Sequence, residues 1–183
     1  MKHFYLTFCL IFSSNYVLFS QNNQWALPQS SSRGVLEFVD SLHGFSIGNS
    51  FNSTIDGGIT WNSNLLDFIP RLNDLSFVNN QEGWICGDEG IIAHTTNAGK
   101  TWNTQITNVT ENLSAIHFLD NQQGFAGGTN GTLLKTTDGG QTWVLLPTVL
   151  PNYPPDIVGM EFVDNQKGWI IGRGVVAKTI DGG

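Results

Sequence analysis

Thr136-Thr137-Asp138-Gly139-Gly140-Gln141-Thr142-Trp143 decides how this chain is read, because the chain writes it more than once. Earlier versions are Thr54-Ile55-Asp56-Gly57-Gly58-Ile59-Thr60-Trp61 and Thr95-Thr96-Asn97-Ala98-Gly99-Lys100-Thr101-Trp102. A fourth, Thr179-Ile180-Asp181-Gly182-Gly183, reaches the last residue given. The three tryptophans stand 41 residues apart. Working outward, each phrase is preceded by a phenylalanine, at Phe38, Phe77, Phe118 and Phe162. Six positions after each comes a Gly-aromatic pair: Gly44-Phe45, Gly83-Trp84, Gly124-Phe125 and Gly168-Trp169. Markers in fixed order at a fixed period describe an array of like supersecondary units.

Inside a unit the pattern has period two. Leu36/Phe38, Leu75/Phe77, Ile116/Phe118 and Met160/Phe162 alternate with Glu37, Ser76, His117 and Glu161, as in a strand with one better-buried face. An Asx- and Gly-bearing turn follows, its glycine expected to supply positive φ. Next come a second strand (Trp84 to Cys86), a Gly-containing turn (Gly87 to Gly90), and a third strand (Ile91 to Thr95 or Leu133 to Thr137). The Asp-Gly-Gly turn leads to a fourth strand, Thr101 to Ile106 or Thr142 to Leu146. Four short antiparallel strands in roughly 40–45 residues make a propeller blade. The expected fold is all-β, a β-propeller of four-stranded antiparallel blades. Its repeats are about 35–73, 74–114, 115–158 and an incomplete 159–183. Three complete blades and part of a fourth suggest a fragment of a larger propeller.

The Thr-x-Asp-x-Gly-x-Thr-Trp phrase resembles the Asp-box, or BNR repeat, found in sialidases, sortilin-type receptors and xyloglucan hydrolases. The longer unit, as in Phe162 to Gly183, is similar to the repeat of the photosystem II stability/assembly factors. That resemblance covers residues 35–183. It implies a non-enzymatic propeller that binds a protein partner as a scaffold, with photosynthesis as its setting. The other reading is an extracellular Asp-box glycan-binding protein or glycoside hydrolase, sialidase-like or xyloglucanase-like.

The box residues Thr54, Asp56, Gly58, Thr60, Trp61, Asn97, Gly99, Thr101, Trp102, Asp138, Gly140, Thr142, Trp143, Asp181 and Gly183 are expected to be structural. An Asx side chain can accept turn amides, glycine tolerates a left-handed backbone, and tryptophan can bury a large ring. A catalytic group is not needed once per blade, and no catalytic residue is assigned. A glycosidase needs two opposed carboxylates, and none stand out as a pair. A sialidase would need an arginine cluster, whereas only Arg33, Arg71 and Arg173 exist. His43, His94 and His117 lack ligand spacing, so neither metal nor cofactor is expected.

Residues 1–20 read as a secretory signal peptide, with Lys2 before an apolar run from Phe4 to Phe12. The polar break Ser13-Ser14-Asn15 argues against a retained transmembrane helix, so membrane insertion after cleavage is not expected, and Cys9, preceded by Phe8, is poorly placed for lipid attachment. A net charge of −7 with only 8 Lys and Arg argues against nucleic acid as partner. Charged residues make up 13 % and the remaining polar surface is Asn, Thr, Ser and Gln, suiting a secreted, periplasmic or cell-surface module. Cys86 is the one cysteine beyond the leader, so no internal disulfide is expected.

Within the N-terminal segment 21–34, Gln24 to Gln29 resembles Thr142 to Pro147 and is read as a ring-closing fourth strand, 24–29. The 1–2 turns and Asp-box turns repeat faithfully, whereas the opposite rim varies between blades. Variation places a candidate binding rim there, at Asp88, Glu89, Tyr153 and Arg173, for a protein or a glycan.

Overall fold

The computed structural model describes residues 34–48, 50–66, 70–147 and 155–182. The expected leader 1–20, the strand 24–29, Tyr153 and Gly183 lie outside the described residues. The chain divides into two compact units, residues 1–67 and 68–183. In the first, β1 (Val35–Phe38), β2 (Gly44–Ile47), β3 (Phe51–Thr54) and β4 (Asn62–Asn64) form one antiparallel sheet in chain order.

The second unit holds three more antiparallel sheets. One is β5 (Leu72–Phe77), β6 (Gly83–Gly87), β7 (Ile92–Thr95) and β8 (Asn103–Gln105). The next is β9 (Leu113–Phe118), β10 (Gly124–Gly128), β11 (Leu133–Thr136) and β12 (Val144–Leu145). The last is β13 (Ile157–Phe162), β14 (Gly168–Gly172) and β15 (Val175–Thr179). The first strands neighbour one another, β5 against β9 and β9 against β13. This is propeller architecture: a meander sheet per repeat, stacked through its first strand. The fourth strands are shorter than the pattern suggests, three residues in β8 and two in β12. Thr101 and Thr142 give their amides to box side chains instead of a ladder, and the short edge leaves little backbone for a stray strand to pair with.

One expectation changes. The glycine of each Gly-aromatic pair is not a left-handed turn residue; it opens a strand, directly opposite the repeat phenylalanine. A Cβ on Gly44, Gly83 or Gly124 would lie 2.5–2.6 Å from ring atoms of Phe38, Phe77 or Phe118. The glycine is there so that an aromatic ring can lie flat across it. The box tryptophan then meets the same ring edge-on, with centroids 6.1 Å apart for Phe38–Trp61 and Phe77–Trp102 and 5.9 Å for Phe118–Trp143. Edge-to-face contact suits the ring quadrupoles and adds about 1 kcal/mol to area burial.

The aromatic after the glycine joins neighbouring blades. Trp84 stacks on Phe118 at 3.6 Å and Phe125 on Phe162 at 4.0 Å. Opposite Trp84 on β7 lies His94, stacked at 4.5 Å, while Lys135 sits 5.3 Å over Phe125 and Lys178 5.5 Å over Trp169. The buried core of the second unit gathers Trp84, Cys86, Ile92, Leu113, Ile116 and Phe118 with Ala126, Leu134 and Trp143.

Candidate functional site

The Asp-boxes have closed hydrogen bonding. In the first, the Thr54 hydroxyl donates to Asp56 at 2.8 Å and accepts the Gly58 amide at 2.9 Å. Asp56 accepts the Thr60 amide at 2.9 Å and the Thr60 hydroxyl at 2.6 Å. Thr136, Asp138, Gly140 and Thr142 repeat this. In the second blade Asn97 stands in for Asp, and its amide donates to Thr101 at 2.8 Å, reversing that bond. Thr179 and Asp181 make the first half of the same turn. Gly58, Gly99, Gly140 and Gly182 all adopt positive φ. The Thr60 hydroxyl and amide, then the Thr54 hydroxyl, hold the Asp56 carboxyl down to about 2, and Thr142 holds Asp138 low in the same way. Their oxygens serve the turn.

A second staple fixes the rim. Asp40, Asn79, Asp120 and Asp164 each accept two amides of the 1–2 turn at 2.7–2.9 Å. An amide in each box then donates to that turn: Gly57 to Leu42, Ala98 to Gln81, Gly139 to Gln122 and Gly182 to Gln166, all at 2.8–2.9 Å. Box turns and 1–2 turns are therefore one layer of the blade. In the third blade Trp143 donates to Gln105 of the second blade at 3.1 Å, while Trp84 and Gln105 both donate to Gly139.

The opposite rim carries the remaining candidates. Asp88 and Glu89 lie in a single-turn 3-10 helix, Asp88–Gly90, with Glu89 at φ 60. Asn73 donates to Asp88 at 2.9 Å, and the Glu89 amide donates to Asn112, just before β9, at 3.0 Å. The third blade repeats the clamp, the Asn130 amide donating to Asp156 at 3.1 Å. These bonds bring the 2–3 turn of one blade to the lead-in of the next. Arg173 occupies the two-residue turn between β14 and β15, exposed beside Gly174. Glu89 is exposed and Asp88 half-buried.

Sequence reasoning misses Asp74, which has no visible partner in the linear pattern. It lies on β5 and accepts the Leu75 amide and, across the seam, the Ile116 amide, both at 2.9 Å. Burial pushes its carboxyl up to about 7 against those two bonds. The signal in the sequence is positional: three residues before the repeat phenylalanine, the other blades carry Val35, Ala115 and Gly159. Cys86 pairs with Asp74 across β5 and β6, and burial, then the Asp74 charge, pushes its thiol far up, so it is no nucleophile. Among the described residues, no cluster of three or more His, Cys, Asp or Glu could hold a metal.

A groove along β15 is lined by Phe162, Gly168, Trp169, Leu146 and Asp181. In the third blade the matching positions, Phe118 and Gln105, surround Trp143. The groove is thus bounded by positions equivalent to those that enclose Trp143 in the third blade.

Known proteins share this geometry. The family model described as photosynthesis system II assembly factor YCF48 matches residues 16–110 and 101–183. A curated relative, photosystem II assembly lipoprotein Ycf48 of Synechococcus sp. (strain CC9902), is 38 % identical over 68 residues, 34 % of this chain and 20 % of that protein. Among solved structures, YCF48 bound to D1 peptide superposes with a TM-score of 0.62 at 22 % identity, covering 92 % of this chain and 50 % of its own. YCF48 from Cyanidioschyzon merolae gives 0.64 at 17 %, covering 76 % and 47 %. The GH74 xyloglucanase of Xanthomonas campestris gives 0.60 at 12 %, covering 76 % and 26 %, a likeness of fold. The chain spans about half the length of the solved assembly factors it matches. With the family model matching nearly its whole length, the chain belongs to the family of the photosynthesis system II assembly factor YCF48.

Proposed function

We propose that this chain is part of an exported, non-catalytic propeller that binds a protein segment during assembly of a larger complex. The observation that carries the reading is the family match from residue 16 to 183. A solved relative is described as bound to a D1 peptide, which makes a peptide the first partner to test. Site chemistry agrees: the box carboxylates are spent on their own turns. Export rests on the expected leader 1–20 and on the relative's description as a lipoprotein.

For the contact surface we favour the rim of 2–3 turns. Asp88 and Glu89 lie there on a short turn that the Asn112 clamp holds in place, and Arg173 lies in the corresponding turn of the fourth blade. Tyr153, in the neighbouring connection, is proposed with them. The test is fluorescence anisotropy with a labelled D1 peptide. Saturable binding is expected, weakened about tenfold, or 1.4 kcal/mol, by Asp88→Ala with Arg173→Ala. No binding would sink the peptide reading; binding indifferent to both substitutions would sink the rim. Release of sugar from xyloglucan would favour the hydrolase reading instead.

A further inference from the structure

β5 and β9 are the first strands of their sheets, so each presents an edge of backbone groups that its own ladder does not pair. Three polar positions on β5 answer that need. Asn73 donates to the Leu113 carbonyl at 2.9 Å, Asp74 accepts the Ile116 amide at 2.9 Å, and Ser76 accepts the Phe118 amide at 3.0 Å. Counted from the repeat phenylalanine, β9 offers Ser114, Ala115 and His117 to β13 at those positions. Of the two seams in this unit, only the one between the second and third blades has a carboxyl group at these positions.

We propose that Asp74 makes this seam proton-sensitive, its neutral carboxyl closing the contact between the second and third blades and its ionisation loosening it. Two amide bonds favour the ionised form, but no positive charge among the described neighbours adds to them. On its own strand stand uncharged Asn73 and Ser76. Opposite on β6 is the Cys86 thiol, kept protonated by burial and by Asp74 itself. The 3-10 turn adds a second carboxylate, Asp88, tied to Asn73. On β9, Ala115 and Ile116 carry no charge, and His117 engages Phe162 of β13. Among the described residues, none of the ion pairs involves Asp74. Asp74 keeps some exposed surface as a residue, yet its carboxyl is crowded by protein, and burial is the largest influence on its ionisation.

The sign follows from linkage. An ordinary aspartate ionises near 3.8, whereas Asp74 in the fold ionises near 7. Between those values the folded chain holds a proton the unfolded chain has released, so stability falls as pH rises from about 4 to 7. His117 works oppositely over part of that window, so the informative quantity is a difference between proteins. Thermal unfolding of the full chain is followed from pH 5 to 8 for the parent, Asp74→Ala and Asp74→Asn. Alanine is what the third blade carries at this position. Losing one acceptor oxygen in the asparagine variant, or both in the alanine variant, lowers stability by an amount independent of pH. On top of it, their midpoints should rise by several degrees relative to the parent as pH goes from 5 to 8. A difference that does not change with pH overturns the proposal. Should neither variant fold, the Asp74 carboxyl carbon of the labelled parent is titrated by NMR. A midpoint near 7 supports the proposal, and one near 4 overturns it.

Discussion

Thr136 is 2 % exposed, and its hydroxyl is engaged three ways. It donates to Asp138 at 2.8 Å and accepts the amides of Gly140 at 2.8 Å and Asp138 at 3.3 Å. The aspartate that names the box lies further out, in contact with water, where a lost partner is replaced cheaply. The second blade shows as much, since Asn97 fills that place with one bond reversed. Threonine has no such escape, because Gly140 is buried and its amide has nowhere else to donate. Thr136→Val keeps the shape and strips the acceptor, so it should cost about 2 kcal/mol, the penalty for an orphaned buried amide. Urea unfolding checks this as a lower midpoint at unchanged slope. A loss below about 0.5 kcal/mol would show that water reaches the turn and that the threonine is dispensable.

At the scale of the element, the unit is a strand pair capped by one ring. Phe118 lies across Gly124, Trp143 meets it edge-on, and Trp84 of the neighbouring blade stacks on its other side. Gly124→Ala puts a methyl 2.6 Å from that ring, which cannot retreat between two tryptophans. Overpacking of this kind should cost about 2–3 kcal/mol. Gly174→Ala is the comparison: it has positive φ but open space around it, so only backbone strain of about 1 kcal/mol applies. Equal losses in urea unfolding would refute the ring-over-glycine account. The period, the strand order and the box turns were legible in the sequence because each is local: a glycine, an Asx and a threonine a few residues apart satisfy one another. The role of Gly124 was not, since flatness is demanded by a residue across the strand pair rather than beside it in the chain. Asn112, Gln105 and Asp74 were missed for the same reason; each answers a backbone group of another blade.

At the scale of the whole molecule, titratable groups respond to acid in different windows, and in the second unit some of them sit where one first strand offers a polar side chain to the next. Asp56, held down to about 2, and Asp138, also held below its ordinary range, give their turns support that is present above about 4 and is lost as pH falls through their folded values. His117, at the seam toward the fourth blade, also costs stability on acidification, but in a higher pH window. Burial lowers it from 6.5 to about 4, partly offset by a backbone bond with Phe162. The unfolded chain takes up a proton as pH drops below 6.5 while the fold refuses it until about 4, so stability falls on acidification through that interval. The full shift corresponds to at most about 3 kcal/mol. With Asp74 acting as proposed, the two titrations run in opposite directions through overlapping windows, and the parent profile between pH 4 and 7 is flattened. Removing one should expose the other. His117→Ser imports the side chain that Ser76 supplies in the second blade, where it accepts the following blade's phenylalanine amide at 3.0 Å, so the titrating ring is replaced by an uncharged polar group. That variant should gain stability relative to the parent on going from pH 6.5 to 4.5, by about 2 kcal/mol. Urea unfolding at the two pH values decides it: a parent and variant that shift in parallel would mean His117 is protonated freely in the folded chain.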